Sequence, residues 1–214
     1  MNAIDQERIG IHTAEVTLIG DLHVPRAAQG IVLFAHGSGS GRKSGRNRGV
    51  ASVLRQAGFG TLLFDLLTRH EDEVEDLRFD IPLLSARLAG ATRWVHAQPH
   101  LEDLPIGLFG ASTGAASALN TAAALPQLVN AVVSRGGRPD LAMAALPLVK
   151  APTLLIVGGL DEDVVDLNRE ALDALTCPKD LVIVPDATHL FEEPGALEQV
   201  ARLAAGWFAR HLIA

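Results

Sequence analysis

Three residues in one chain order have the types needed for nucleophilic chemistry. Ser112 lies in Gly110-Ala111-Ser112-Thr113-Gly114, Asp161 follows Val157-Gly158-Gly159-Leu160, and His189 follows Val184-Pro185-Asp186-Ala187-Thr188. A serine hydroxyl is a poor nucleophile at neutral pH. It needs a base to take its proton, and the base needs an acid to orient it. The pentapeptide G-x-S-x-G is a weak signal alone, and its context strengthens it. A strand-like IGLFG precedes Ser112 and an alanine-rich helical run follows, as a sharp strand-to-helix turn requires. Glycines on both sides remove the Cβ atoms that would collide with crossing backbone, and the positive end of the following helix points at charge developing beside Ser112.

Each residue also has a structural reading. Ser112 could be a helix N-cap, and Asp161 could cap a helix starting near residue 164. Asp163 and Asp140 are rival acids. The remaining histidines, at 12, 23, 36, 70, 96, 100 and 211, read as surface or structural groups, with His36 bracing the loop that follows its strand.

That loop, in FAHGSGSGRKSG over residues 34–45, invites a nucleotide reading that fails on its own residues. A P-loop ending at Lys43-Ser44 needs glycine directly before its lysine, where Arg42 stands. A G-x-G-x-x-G started at Gly37 or Gly39 meets Arg42 or Ser44 in place of its third glycine. Arg42, Lys43, Arg46 and Arg48 bring four cations to the same region. They are either a clamp for a carboxylate or phosphate, or solvated groups paired with the acidic stretch Glu71, Asp72, Glu73, Glu75 and Asp76; the second reading is preferred. Arg135, ending the sixth strand, could join such a clamp.

These residues need a scaffold that brings separate loops to one edge. The chain alternates strand-like and helix-like segments. A hairpin is expected from residues 14–19 and 22–24 around Gly20-Asp21. Strands follow at 31–35, 61–67, 106–110, 129–134, 153–157 and 181–184. Helices are expected at 48–57, 80–97, 113–125, 164–175 and from 195 to the terminus. This is a doubly wound α/β pattern: an eight-stranded, mostly parallel sheet with an antiparallel N-terminal hairpin, forming one domain over residues 1–214. Ligands in such sheets bind at the carboxyl ends of strands, where Ser112, Asp161 and His189 all fall.

Composition excludes several alternatives. At 214 residues and 48% hydrophobic content, the chain buries roughly 70% of its unfolded surface and needs no metal or disulfide to fold. Cys177 is the only cysteine, which rules out an internal disulfide or a cysteine metal cluster. The net charge of −7 argues against nucleic acid as a partner. The polar start MNAIDQERIG lacks the pattern of a secretory signal, and no apolar run approaches a membrane span, so a cytoplasmic location is expected. A monomer and a homodimer are both compatible with the apolar content.

The pieces FAHGSGSG, GLFGASTG, IVGGLDEDV and PDATHLF resemble the α/β-hydrolase superfamily over the whole chain, and within it the small capless dienelactone-hydrolase-like proteins. The resemblance implies Ser112 as nucleophile, His189 as base, Asp161 as acid, and an oxyanion hole from the Thr113 and Ser38 amides. Dienelactone hydrolases proper use a cysteine nucleophile, so the serine here favours general hydrolysis of small esters over the literal dienelactone reaction. Lactones and anionic or phospho-esters are alternative substrates, and a non-catalytic small-molecule-binding protein is an alternative use of the fold. The mechanism calls for no metal or organic cofactor. The connection between the sixth and seventh strands is short, which leaves no cap domain; residues 70–76 are the candidate flap.

Overall fold

The computed structural model describes residues 4–212. Its strands are β1 (Ile4–His12), β2 (Thr17–Val24), β3 (Ile31–Ala35), β4 (Gly60–Phe64), β5 (Ile106–Ala111), β6 (Val129–Arg135), β7 (Thr153–Gly158) and β8 (Lys179–Val184). The helices are α1 (Gly45–Gln56), α2 (Ile81–His96), α3 (Thr113–Ala124), α4 (Glu162–Ala174) and α5 (Ala196–His211). All eight strands join one sheet in the order β1-β2-β4-β3-β5-β6-β7-β8. β2 pairs antiparallel with both β1 and β4, and every pairing from β4 through β8 is parallel.

The central strands are apolar on both faces because both are covered. Alternate residues of β3 serve two cores: Ile31, Leu33 and Ala35 pack with α2 and α3, while Val32 and Phe34 pack with α1 and α5. The chain reverses direction across the sheet between β3 and β5, which are neighbours although β4 intervenes in sequence. The loop after β3 and the turn after β5 therefore diverge to opposite faces and leave a crevice, the position where open α/β sheets bind ligands.

The N-terminal hairpin differs from the expectation. Its first strand is β1, its turn lies at residues 13–16 with Thr13 donating to and accepting from Val16, and Gly20-Asp21 lies inside β2. Gly20 is there for packing, since a Cβ would lie 2.9 Å from Leu62 Cδ1 on β4. β1 was hidden because it is an edge strand, solvated enough to carry polar residues along IDQERIGIH. The strand expected at 61–67 ends at Phe64, beyond which Asp65 turns inward to bind Arg42. α5 ends at His211; the last two residues expected in that helix lie outside the described residues. The acidic stretch forms two short 3₁₀ turns, Glu71–Glu73 and Glu75–Phe79. No helix among the described residues is long and apolar enough to cross a membrane.

Candidate active site

Ser112 sits between β5 and α3 with φ 51° and ψ −123°. A serine at positive φ is strained by roughly 1–3 kcal/mol, a cost usually met only where the side chain must be presented in one direction. The turn is tight enough that a Cβ on Gly110 would lie 2.5 Å from Ala115 Cα, and one on Gly114 2.2 Å from Ala35 O. Only glycine fits at either flank. Ser112 occupies the N-cap of α3 yet makes no capping bond with its side chain. Its Oγ instead lies 3.3 Å from His189 Nε2.

His189 is held on the loop after β8. Phe191 donates its amide to Thr188 O at 3.2 Å and adopts φ 55°, and the Thr188 hydroxyl and amide both bind the Glu193 carboxylate, at 2.6 and 3.1 Å. The turn is thereby fixed on both sides of the imidazole. His189 Nδ1 lies 2.6 Å from Asp161 Oδ2. Asp161 also occupies a helix N-cap, that of α4, without capping it. With the carboxylate ionised, Nδ1 carries the proton and Nε2 is left to accept from Ser112. The rivals are elsewhere: Arg138 holds the Asp140 carboxylate at 2.8 and 2.7 Å, and Asp163 is exposed.

The loop after β3 closes the other side. His36 Nε2 accepts from the Leu66 amide at 3.0 Å, so its Nδ1 carries the proton and donates to Gly37 O, also at 3.0 Å. Burial pushes the His36 pKa below its ordinary value, against the Gly37 carbonyl and the charges of Asp65 and Asp72. The expected bracing role of His36 matches these bonds. The Ser38 amide donates to Thr113 Oγ1 at 3.0 Å. The Thr113 amide stands at the first position of α3, where a helix has no acceptor of its own to offer.

Two of the four cations, Arg42 and Arg46, have ion pairs among the described residues, and neither pairs with the expected acidic stretch. Arg42 binds Asp65 on the β4 end and lies 3.4 Å from Asp21, and Arg46 binds Glu192 at 3.0 Å. The acidic stretch is engaged by Arg87 through Glu71 and by Arg78 through Asp72. Residues 42–48 and 70–76 thus satisfy different partners, because Asp65 and Asp21 are nearer to Arg42 than the 3₁₀ turns are. Arg135 is buried, its guanidinium 5.9 Å from the centre of the Phe191 ring. The roles of Asp65, Phe191 and Glu192 had no signal in the sequence, since each is a contact between distant segments.

The comparisons agree with this architecture. A family model described as "Dienelactone hydrolase family" matches residues 20–210. The crystal structure of a dienelactone hydrolase from Anabaena variabilis is 56% identical, superposes with a TM-score of 0.95, and covers 98% of this chain and 100% of that one. Est1E from Butyrivibrio proteoclasticus shares the fold at 14% identity, with a TM-score of 0.82 and coverage of 95% and 98%. A Mycobacterium tuberculosis protein named "Putative phosphoribosyl transferase" is 56% identical over 207 residues, 96% of this chain. The chain spans about half the length, 46%, of that curated relative. By the family match and these identities, the chain belongs to the dienelactone hydrolase family.

Proposed function

We propose that the chain is a serine hydrolase that cleaves small carboxylic esters through an acyl-enzyme. The observation that carries the reading is that Ser112 and Asp161 both stand at helix N-caps and cap nothing, each turning its side chain to His189 instead. Ser112 Oγ attacks the ester carbonyl while His189 Nε2 takes its proton, and Asp161 stabilises the imidazolium. The oxyanion is held by the Thr113 and Ser38 amides beside the positive end of α3. In the resting protein the Ser38 amide binds the Thr113 hydroxyl. The oxyanion replaces that neutral acceptor with a charged one, a bond roughly twice as strong. His189 returns the proton to the leaving alcohol, then activates the water that releases the acid.

Phosphoribosyl transfer, as in the name of the mycobacterial relative, is not the reading we take. This chain matches 46% of that protein, and a serine–histidine–carboxylate array supports acyl transfer.

The test is hydrolysis of p-nitrophenyl acetate and butyrate, with fluorophosphonate labelling, by the wild type and Ser112→Ala. Turnover and labelling by the wild type, both lost in the variant, are expected. A folded wild type that neither turns over nor labels would sink the proposal and favour a ligand-binding role.

A further inference from the structure

The sheet face that α1 and α5 cover is left open at one end. The apolar core on that side draws on every strand from β3 to β8 and takes no residue from β1 or β2. Along β2, the buried Leu18, Gly20, Leu22 and Val24 alternate with Thr17, Ile19, Asp21 and His23, which are exposed or half-buried. The hairpin thus extends past α1, and a cleft of about 360 Å³ lies between its open face and that helix. The size suits a small molecule, whose sites run from roughly 300 Å³ upward. Thr61 and Leu63 of β4 also line it, so it runs down the sheet face, away from the carboxyl ends, and Ser112, Asp161 and His189 take no part in it.

The lining concentrates charge of one sign. Arg8 on β1, Arg42 and Lys43 in the loop before α1, and Arg48 and Arg55 on α1 face one carboxylate, Asp21, in a chain whose net charge is −7. Asp21 is divided between two of them. It lies 3.5 Å from Arg8 Nε and 3.4 Å from Arg42 Nε, both beyond an ordinary hydrogen bond. The Arg42 Nε is sealed from solvent without an acceptor, although Asp65 holds another nitrogen of that guanidinium. Lys43 and Arg48 make no ion pair among the described residues, and Arg55 donates only to the Thr61 hydroxyl, at 3.4 Å. Arg48 and Arg55 stand two turns apart on one face of α1, about 10 Å along its axis. Burial first and the Arg48 charge second hold the Arg55 pKa below its ordinary value. Gathering five cations around one carboxylate costs the fold repulsion that an anionic ligand relieves.

We propose that this cleft is a second, non-catalytic binding site, which takes the oligophosphate chain of a small molecule, inorganic or carried on a nucleotide. Four planar guanidiniums and an ammonium suit phosphoryl oxygens. Cations spread along two turns of helix suit a chain of phosphoryl groups better than a single one. The site does not depend on the hydrolase reading above.

The experiment titrates tripolyphosphate, ATP, adenosine, inorganic phosphate and citrate into the wild type by calorimetry at fixed ionic strength. Tripolyphosphate or ATP should bind at one site per chain, at least tenfold more tightly than inorganic phosphate or citrate, and more weakly as salt is raised. Arg48→Gln/Arg55→Gln should lose about a hundredfold in affinity, each charged hydrogen bond being worth about tenfold or more. Arg93→Gln/Arg202→Gln removes the same two charges from exposed positions on α2 and α5 and should leave the affinity unchanged. If the first variant does not fold, Lys43→Gln/Arg48→Gln, confined to exposed side chains, decides. ATP binding more tightly than tripolyphosphate, with adenosine silent, assigns a nucleotide; ATP no tighter than tripolyphosphate assigns the bare chain. Failure of both to bind, citrate or adenosine binding as tightly, or an affinity unchanged in the folded cleft variants overturns the site. An equal loss in Arg93→Gln/Arg202→Gln overturns it too, because overall charge and not the cleft would then be the cause.

Discussion

Replacing Arg135 with methionine should make the resting protein more stable. Arg135 is 7% exposed, and its pKa is lowered from the ordinary guanidinium value to about 10, by burial first and by Arg46 second. Each tenfold in acidity is worth ~1.4 kcal/mol, so the buried charge costs the fold about 3 kcal/mol. Methionine keeps most of the apolar contact with Phe191 and removes the charge. It gives up the cation–π contact, worth roughly 1 kcal/mol or somewhat more where water is excluded. The balance is a stabilisation of about 1–2 kcal/mol, or a few degrees in melting temperature for a chain of this size. Urea unfolding of wild type and variant at neutral pH measures it. The pH dependence gives a second check. Because the folded pKa lies below the unfolded one, the penalty is fully present at any pH below about 10. It fades as pH rises from there toward the ordinary guanidinium value, a range in which the unfolded chain binds the proton that the folded one has released. The gap between variant and wild type should therefore be constant near neutrality and narrow in strong alkali. A variant destabilised by about 1 kcal/mol or more would refute the reasoning, since it would mean that the charge is already compensated within the fold.

Asp161→Asn should lower kcat by about a thousandfold or more, because an amide no longer selects the imidazole tautomer that leaves Nε2 free. The melting temperature should barely move, since Asp161 caps nothing; steady-state kinetics beside a thermal melt separates the two. His36 gives a stability prediction with a definite sign. Its folded pKa lies below the ordinary 6.5, so its contribution is complete above that pH and is lost as pH falls through the folded value. Urea midpoints should decline on acidification below 6.5, by up to ~1.4 kcal/mol per pH unit from this one group. His36→Asn, which can still donate to Gly37 O but cannot take up a proton, should flatten that decline; an unchanged slope would assign it to other groups.

The sheet from β3 to β8 was legible because each strand is a short apolar run, with an α-helix in every connection except the one from β6 to β7. Chain order alone then placed residues 112, 161 and 189 on one edge. What failed was β1, whose polar residues suit an edge strand and carry no signal, and Gly20, whose packing role against Leu62 looks in sequence like a turn. The ion pairs of Arg42 and Arg46 also failed. Each links a loop to a residue elsewhere in the chain, Asp65 in one case and Glu192 in the other, and sequence proximity to an acidic run was a poor guide to either. The neutrality of His36 and the missing partner of Arg135 are properties of packing. No motif announces them.

The glycine-rich loop at 37–41 looked like a phosphate cradle, and its fastening argues for a different role. A cradle needs successive amides free to turn toward a ligand. Here the loop is tied at three points: His36 to the Leu66 amide, the Ser38 amide to Thr113 Oγ1, and the Arg42 amide to Asp65 Oδ1 at 2.8 Å. Gly37 serves close approach, because a Cβ there would lie 3.0 Å from Ser112 Cβ and 3.1 Å from Ala111 O. The loop is a wall set against the β5–α3 turn, and Thr113 is the latch between them. In the proposed reaction the Ser38 amide must leave Thr113 Oγ1 to take the oxyanion, so the latch would open only as charge develops on the carbonyl.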